Sequence, residues 1–346
     1  MSEFGGRAKR TTIKDVAKLA GTSVATVSYV FGNAQNRYIT REMRERVVDA
    51  ARELGYVKNS LASGLKGKNI GIIAVLTPQF ENHFFVSIIG AIESIANEKG
   101  YVLSTCNTFD DPGRERDLIE RMLKLNVDGY LIIPTHLGAE NTEQIRAYGI
   151  PCVSIERPLD EVTEYDFISS DNFHSTYQLT NEIVARGHKR IALAYWDTPI
   201  SNLKERLYGY KQSLADAGLD FDPDLVLSAS ITHQEGARVT TRILSDPTIT
   251  ATLYGHYLLA EGGIKYMREE EISIPERMSV ALVGRPKWLE MSEMQFAHVS
   301  QPSVEIGRVA AEILFDKLQT GNRQKTAGIH KKIPGIVRLG QSIKSL

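Results

Sequence analysis

Residues 11–31, TTIKDVAKLAGTSVATVSYVF, decide how this chain is read. Ile13, Val16, Ala17, Leu19 and Ala20 recur at helical spacing. Gly21 stops that helix, and Ser23 caps a second one whose apolar face is Val27, Val30 and Phe31. Only the short stretch from Gly21 to Ser23 joins them, so the two helices must cross steeply. Thr40 then caps a third helix, with Met43, Val47, Val48, Ala51 and Leu54 on one face and Gly55 at its end. The pattern leaves two readings open: a generic three-helix bundle, or a helix-turn-helix whose second helix is free to enter a major groove.

Charge favours a polyanion partner for this segment. Residues 1–68 hold thirteen Lys/Arg against six Asp/Glu, a net +7. The remaining 278 residues hold 28 against 36, a net −8, so the overall −1 conceals a basic head on an acidic body. A charge run is also what a plain solvated face looks like, and charge alone does not separate the two.

The residues themselves are more specific. TIKDVAKLAGTSVATVSYVF, followed by ITREMRERVVDAARELGY, closely resembles the DNA-binding head of the lactose and purine repressor family over about 55 residues, with a slightly longer loop at 32–38. The resemblance implies that Val24, Ala25 and Tyr29 face the bases. Val24 and Ala25 lack hydrogen-bonding side chains, so their role would be contact with thymine methyls, whereas Tyr29 can donate or accept at a base edge. Thr12, Ser23, Thr26 and Ser28 suit phosphate contacts that set register. Arg37 is placed near a phosphate or a base. Residues 56–67, YVKNSLASGLKG, occupy the family's hinge, a short helix from Asn59 to Lys66 that pairs with its dimer mate in the minor groove. There Leu65 matches the wedging leucine, Ala62 the small residue at the helix pair and Lys66 the following base. Ser63-Gly64 departs from the family's usual Arg-Ser.

From Lys68 onward, short apolar runs alternate with amphipathic helices. Expected strands are Ile70–Leu76, Tyr101–Thr105, Gly129–Ile133, Cys152–Ile155, Ile191–Tyr195, Leu225–Leu227, Thr250–Leu253 and Ser279–Val283. Expected helices begin at Phe85, Arg114, Ser175, Leu203, Gln234, Leu258 and Glu305. The fold class is therefore α/β, with parallel sheets covered on both faces. The resemblance extends to the body, which would be two-lobed like a periplasmic sugar-binding protein. The expected organisation is a tail at 1–11, a helix-turn-helix domain at 12–56, a hinge at 57–68 and an effector-binding and dimerisation body at 69–346. Its N-lobe would comprise 69–157 and 299–327 and its C-lobe 158–298 and 328–346, with crossings near Arg157, His298 and Ala327.

A ligand would sit between the lobes, beyond the C-terminal ends of the strands. By resemblance, Phe84, Phe85, Arg157 and Arg206 contact it. Where many relatives read Asn-Asp, this chain has His256-Tyr257. Where they read Gly-Phe-Asp-Asp, it has Leu282-Val283-Gly284-Arg285, without the aspartate that chelates sugar hydroxyls. The sequence leaves open whether Tyr254, His256, Tyr257, Arg285 and Trp288 line a rebuilt pocket or merely pack.

At 346 residues with 24% charged, the chain is neither disordered nor small. MSEFGGRAKR carries no apolar stretch of a secretory signal, no run approaches a membrane helix, and Cys106 and Cys152 form no CxxC pair, all pointing to a cytoplasmic, nucleoid-associated protein. Nucleotide-binding loops, HExxH and GxSxG are lacking and the eight His are scattered, so neither an enzyme nor a cofactor or metal site is expected. The expected function is a DNA-binding regulator, most simply a repressor. It would bind a pseudo-palindromic operator as a homodimer, possessing a small-molecule effector such as a carbohydrate. A DNA-binding regulator or nucleoid protein without an effector is the alternative.

Overall fold

The computed structural model describes residues 11–31, 39–56, 69–136, 138–159, 165–198, 200–320 and 328–346. The chain divides into two units, one through Ile70 and one from Gly71.

The first unit contains helices α1 (Ile13–Leu19), α2 (Val24–Val30) and α3 (Arg41–Glu53). Gly21, at φ +64°, closes α1: its N–H reaches Lys18 O, and the Thr22 N–H reaches Ala17 O. This paired closure satisfies two orphan carbonyls and requires the left-handed backbone that glycine adopts at no cost. Val16, Ala17, Ala20, Val27, Val30, Val47, Ala50 and Ala51 form the core, sealed by Ile13, Phe31, Ile39, Met43, Leu54 and Tyr56. The apolar spacing read from sequence is thus the core of a three-helix unit. The expected hinge, 57–68, lies outside the described residues.

The second unit contains two six-stranded sheets. One has the order β11-β5-β4-β3-β1-β2, built from β1 (Ile72–Thr77), β2 (Val102–Asn107), β3 (Gly129–Ile132), β4 (Cys152–Ile155), β5 (Asp166–Asp171) and β11 (His330–Pro334). The other has the order β12-β10-β9-β8-β6-β7, from β6 (Ile191–Tyr195), β7 (Val226–Ser228), β8 (Ala251–Tyr254), β9 (Ser279–Val283), β10 (Ala297–Ser300) and β12 (Ile336–Arg338). Every neighbouring pair is parallel except β10 with β12. The first sheet is covered by α4 (His83–Glu98), α5 (Pro112–Lys124), α6 (Ala139–Ala147) and α11 (Ser303–Thr320). The second is covered by α7 (Asn172–Val184), α8 (Ser201–Asp216), α9 (His233–Leu244) and α10 (Tyr257–Glu269). Buried Ile, Val and Leu on both faces of each sheet explain why these strands read as apolar runs rather than alternations.

Sheet membership corrects the expected crossings. Because β5 and β11 both belong to the first sheet, the chain passes between lobes at Asp171–Asn172, between Ser300 and Ser303, and between Pro334 and Ile336. The second falls just after the expected His298, the first lies well past Arg157, and Ala327 lies outside the described residues. β5, β10, β11, β12 and α6 had not been anticipated, and the strand expected at Leu225–Leu227 is present as β7 one residue later, Val226–Ser228, after a 3₁₀ turn at Pro223–Leu225. Cys106 and Cys152 are free and half-buried, and burial pushes both thiols up, that of Cys152 to about 12. No helix among the described residues is long and apolar enough to cross a membrane.

Candidate nucleic-acid interface and ligand cleft

In the head, Ser23 Oγ accepts the Thr26 N–H at 3.1 Å and lies 2.9 Å from the Thr26 hydroxyl. This caps α2 and leaves its first turn facing outward. Val24, Ala25 and Ser28 are exposed, Tyr29 is half-buried beside them, and Val27 and Val30 point into the core. The face expected to meet bases is therefore presented by a helix whose opposite side is fixed by packing. Thr12, also exposed, donates its N–H and hydroxyl to the Asp15 carboxylate at 2.8 and 2.7 Å. Thr12, Ser23 and Thr26 are thus engaged in capping contacts. Arg44 donates to Val30 O at 3.3 Å, satisfying a terminal carbonyl of α2 from α3. Arg37, Asn59, Ala62, Leu65 and Lys66 lie outside the described residues.

In the body, a cleft of about 330 Å³ opens where the C-terminal ends of both sheets meet. Phe84, Phe85, Arg157, Arg206, His256 and Tyr257 all line it. Phe85 is mainly a core residue of the first lobe, its ring 5.5 Å from that of Phe84. Arg157 holds Asp110 bidentately, at 2.5 and 3.2 Å, and donates to Pro134 O at 3.1 Å, so its guanidinium is committed within its own lobe.

Arg206 is 5% exposed. Its Nε donates to Asn172 Oδ1 at 2.9 Å and its Nη1 to Gly255 O at 2.5 Å, while Nη2 has no hydrogen-bond partner among the described residues. Burial pulls its pKa down to about 10. His256 Nδ1 accepts the Leu258 N–H at 3.2 Å, capping α10. Burial, and then the Arg206 charge, depress its pKa to about 3. The ring is neutral, and since Nδ1 accepts, Nε2 carries the proton. The ring stacks on Tyr257 at 4.6 Å, and the Tyr257 hydroxyl reaches Asn82 Oδ1 of the facing lobe at 3.5 Å.

Three of the candidate residues do not line the cleft. Tyr254 is fully buried in the second lobe, its hydroxyl 2.6 Å from Thr240 Oγ1. Trp288 sits on the 3₁₀ turn Lys287–Glu290 and does not line the cleft. Its Nε1 donates to Glu261 Oε1 at 2.9 Å, and its ring lines a separate apolar groove of about 620 Å³ with Ile264, Ile272, Ile274, Met291 and Met294. Arg285 is exposed and pairs with Glu290 at 2.9 Å.

The cleft also recruits residues that had not been singled out. Glu156 follows β4 at φ +62°, a left-handed backbone that a non-glycine residue adopts only under constraint. Its Oε1 accepts the Ser170 N–H at 2.7 Å and hydroxyl at 2.8 Å, its Oε2 lies 3.4 Å from Asn202 Nδ2, and burial raises its pKa. Asn202 is 8% exposed and its Oδ1 has no partner among the described residues. Asn82 and Thr232, both cleft residues, cap α4 and α9. Among the described residues no group of His, Cys, Asp and Glu could hold a metal ion.

Residues 12–59 match the family described as bacterial regulatory proteins, lacI family, and residues 70–339 match periplasmic binding proteins and sugar binding domain of LacI family. The HTH-type transcriptional repressor PurR of Vibrio cholerae is 29% identical over 316 residues, covering 91% of this chain and 93% of that protein. The HTH-type transcriptional regulator DegA of Bacillus subtilis is 28% identical over 303 residues, covering 86% and 88%. Among solved structures, the lac repressor dimer bound to operator and the anti-inducer ONPF superposes with a TM-score of 0.83 at 21% identity, covering 97% of this chain and 100% of that one. The transcriptional regulator CelR–cellobiose complex gives 0.71 at 24%, covering 96% and 100%.

Proposed function

Given that the chain belongs to the LacI family of bacterial regulators, matched through head and body alike, we propose that it is a repressor working as a homodimer on a two-fold related operator. Its operator affinity would change when a small polar metabolite fills the cleft. The chain is a transcriptional regulator with a helix-turn-helix head and an effector-binding body, and its curated relatives are regulators rather than enzymes. What supports the finer reading is one pairing within the chain. An outward face of Val24, Ala25 and Ser28 on a capped helix belongs to a basic head, while the body's cleft holds a buried polar atom, Asn202 Oδ1, without a partner among the described residues, which a ligand or water can satisfy.

A homodimer follows from readout and from surface. One α2 face reaches too few bases for specificity, and two-fold symmetry doubles them. We assign a second copy of the chain to the groove around Trp288. Met291 there is 81% exposed amid Ile272, Ile274 and Met294, and rim charges of both signs, Glu261, Lys265 and Arg268, suit a self-complementary contact. The structure likened above is likewise described as a dimer bound to operator.

Both lobes line the cleft, and Tyr257–Asn82 and Asn202–Glu156 already bridge it. A ligand that fits one lobe arrangement better would shift the population toward it, and a differential of a few kcal/mol is enough. Fluorescence anisotropy on a duplex enriched by selection, with molecular mass measured in parallel, tests this reading. Full-strength binding by a monomer, or no change with any cleft ligand, would contradict it.

A further inference from the structure

Four charged residues line the cleft: Asp110, Glu156, Arg157 and Arg206. Asp110 and Arg157 neutralise each other bidentately. Glu156 is held by the Ser170 N–H and hydroxyl. Arg206 has only the neutral Asn172 Oδ1 and Gly255 O as hydrogen-bond partners, and unlike the other cleft cation, Arg157, it has no carboxylate within ion-pair distance among the described residues. A buried guanidinium left without an ion pair is costly. Beside it His256 presents an Nε2–H donor, because its Nδ1 is taken by the Leu258 N–H. The 16-residue helix α8, which carries Arg206, begins at Ile200 with no side-chain cap, and Ile200, Asn202 and Leu203 line the cleft, so its positive end faces the ligand space.

Building on the effector reading above, we infer that the effector is a hydroxylated monoanion of the sugar-acid class, its carboxylate seated against Arg206 and His256. Asn202 Oδ1, buried without a partner, is then the acceptor for one of its hydroxyls. A single charge is favoured because one cation is unpaired, while the Glu156 and Asp110 carboxyls oppose a second negative charge. The lowered Arg206 pKa agrees, since burial outweighs the attraction of Glu156. No carboxylate of the chain competes from position 284, which is glycine.

Calorimetric titration of the full chain at constant ionic strength tests this with D-glucuronate, D-galacturonate, D-gluconate, D-glucose, D-galactose, glucose 6-phosphate and acetate. The acids are expected to bind about tenfold or more tightly than their uncharged parents, the worth of one charge-assisted hydrogen bond. Arg206→Gln should abolish that preference. Equal or tighter binding of the neutral sugars, tighter binding of the phosphate ester, or no binding by any carboxylate including acetate would overturn the inference. Should Arg206→Gln not fold, the ordering in the unmodified chain still decides. Repeating the titrations with operator DNA separates the two levels. An acid that binds without altering DNA affinity leaves the carboxylate seat and removes the effector reading, whereas a neutral sugar that alters DNA affinity does the reverse.

Discussion

The Tyr257 ring lies directly over Gly284: a methyl group at Gly284 would stand 3.1 Å from Tyr257 Cδ1 and 3.2 Å from its Cβ. The two departures seen in the sequence, His256-Tyr257 and Gly284, are therefore one structural event. The aromatic ring occupies space that a side chain at 284 would need, and Gly284 sits at φ +108°, where other residues are strained.

Gly284→Ala should accordingly lower body stability by about 1–2 kcal/mol. Tyr257→Ala in the same chain should recover the steric part of that loss and leave the backbone part. Chemical denaturation of the two single variants and the double variant checks this. A coupling of about 0.5 kcal/mol or more is expected between contacting residues, and strict additivity would contradict the contact.

Capping and reading are separable on α2. Ser23→Ala should cost about 1 kcal/mol of head stability through the lost cap and weaken binding to all duplexes alike. Val24→Asn, at an exposed position outside the core, should leave stability nearly unchanged and alter which base is preferred. Thermal melts paired with binding to single-base operator variants distinguish the two outcomes.

Phosphate contacts should make affinity fall steeply with salt. Arg41 is almost fully exposed and, among the described residues, paired only with Glu45, so Arg41→Ala is expected to lower affinity at every sequence. If Arg41 contacts one phosphate, the slope of log K against log salt falls by about 0.9. An unchanged slope would remove Arg41 from the interface.

Acid stability should depend on His256. Its folded pKa of about 3 lies below the ordinary histidine value, so the unfolded chain binds the proton more readily and stability is lost as pH falls below about 6.5. His188 and His298, also depressed by burial, act in the same direction, whereas Glu115 and Glu156, raised by burial, act oppositely. His256→Asn keeps a cap acceptor without the titration. Denaturation at pH 7.5 and 5.5 should show a smaller loss in that variant than in the unmodified chain, and an equal loss would contradict a buried neutral His256.

The head was legible because its signals are local: caps at Ser23 and Thr40, glycines at 21 and 55, and apolar spacing that became the core. The lobe crossings were not. β5 reads DFISSD and β11 reads HKKIP, polar stretches whose strand character comes from their mutual pairing about 160 residues apart. Phe84, Phe85, Arg157 and Arg206 line the cleft as the resemblance implied, and of the open alternatives His256 and Tyr257 line it too. Asp110, Glu156 and Asn202 were silent because single polar residues at strand ends and helix starts carry no motif. Tyr254 and Trp288 were misplaced for a related reason, since closeness in sequence to cleft residues says nothing of which way a strand end or turn directs its ring.

Operator recognition depends above all on α2 reading DNA twice, once from each of two chains. Selection of duplexes from a random pool by the full-length protein, followed by sequencing, measures this directly. Enrichment of a two-fold related site is expected, with a half-site preference that changes in both halves with Val24→Asn. Enrichment of asymmetric sequences, or of none beyond nonspecific binding, would contradict it.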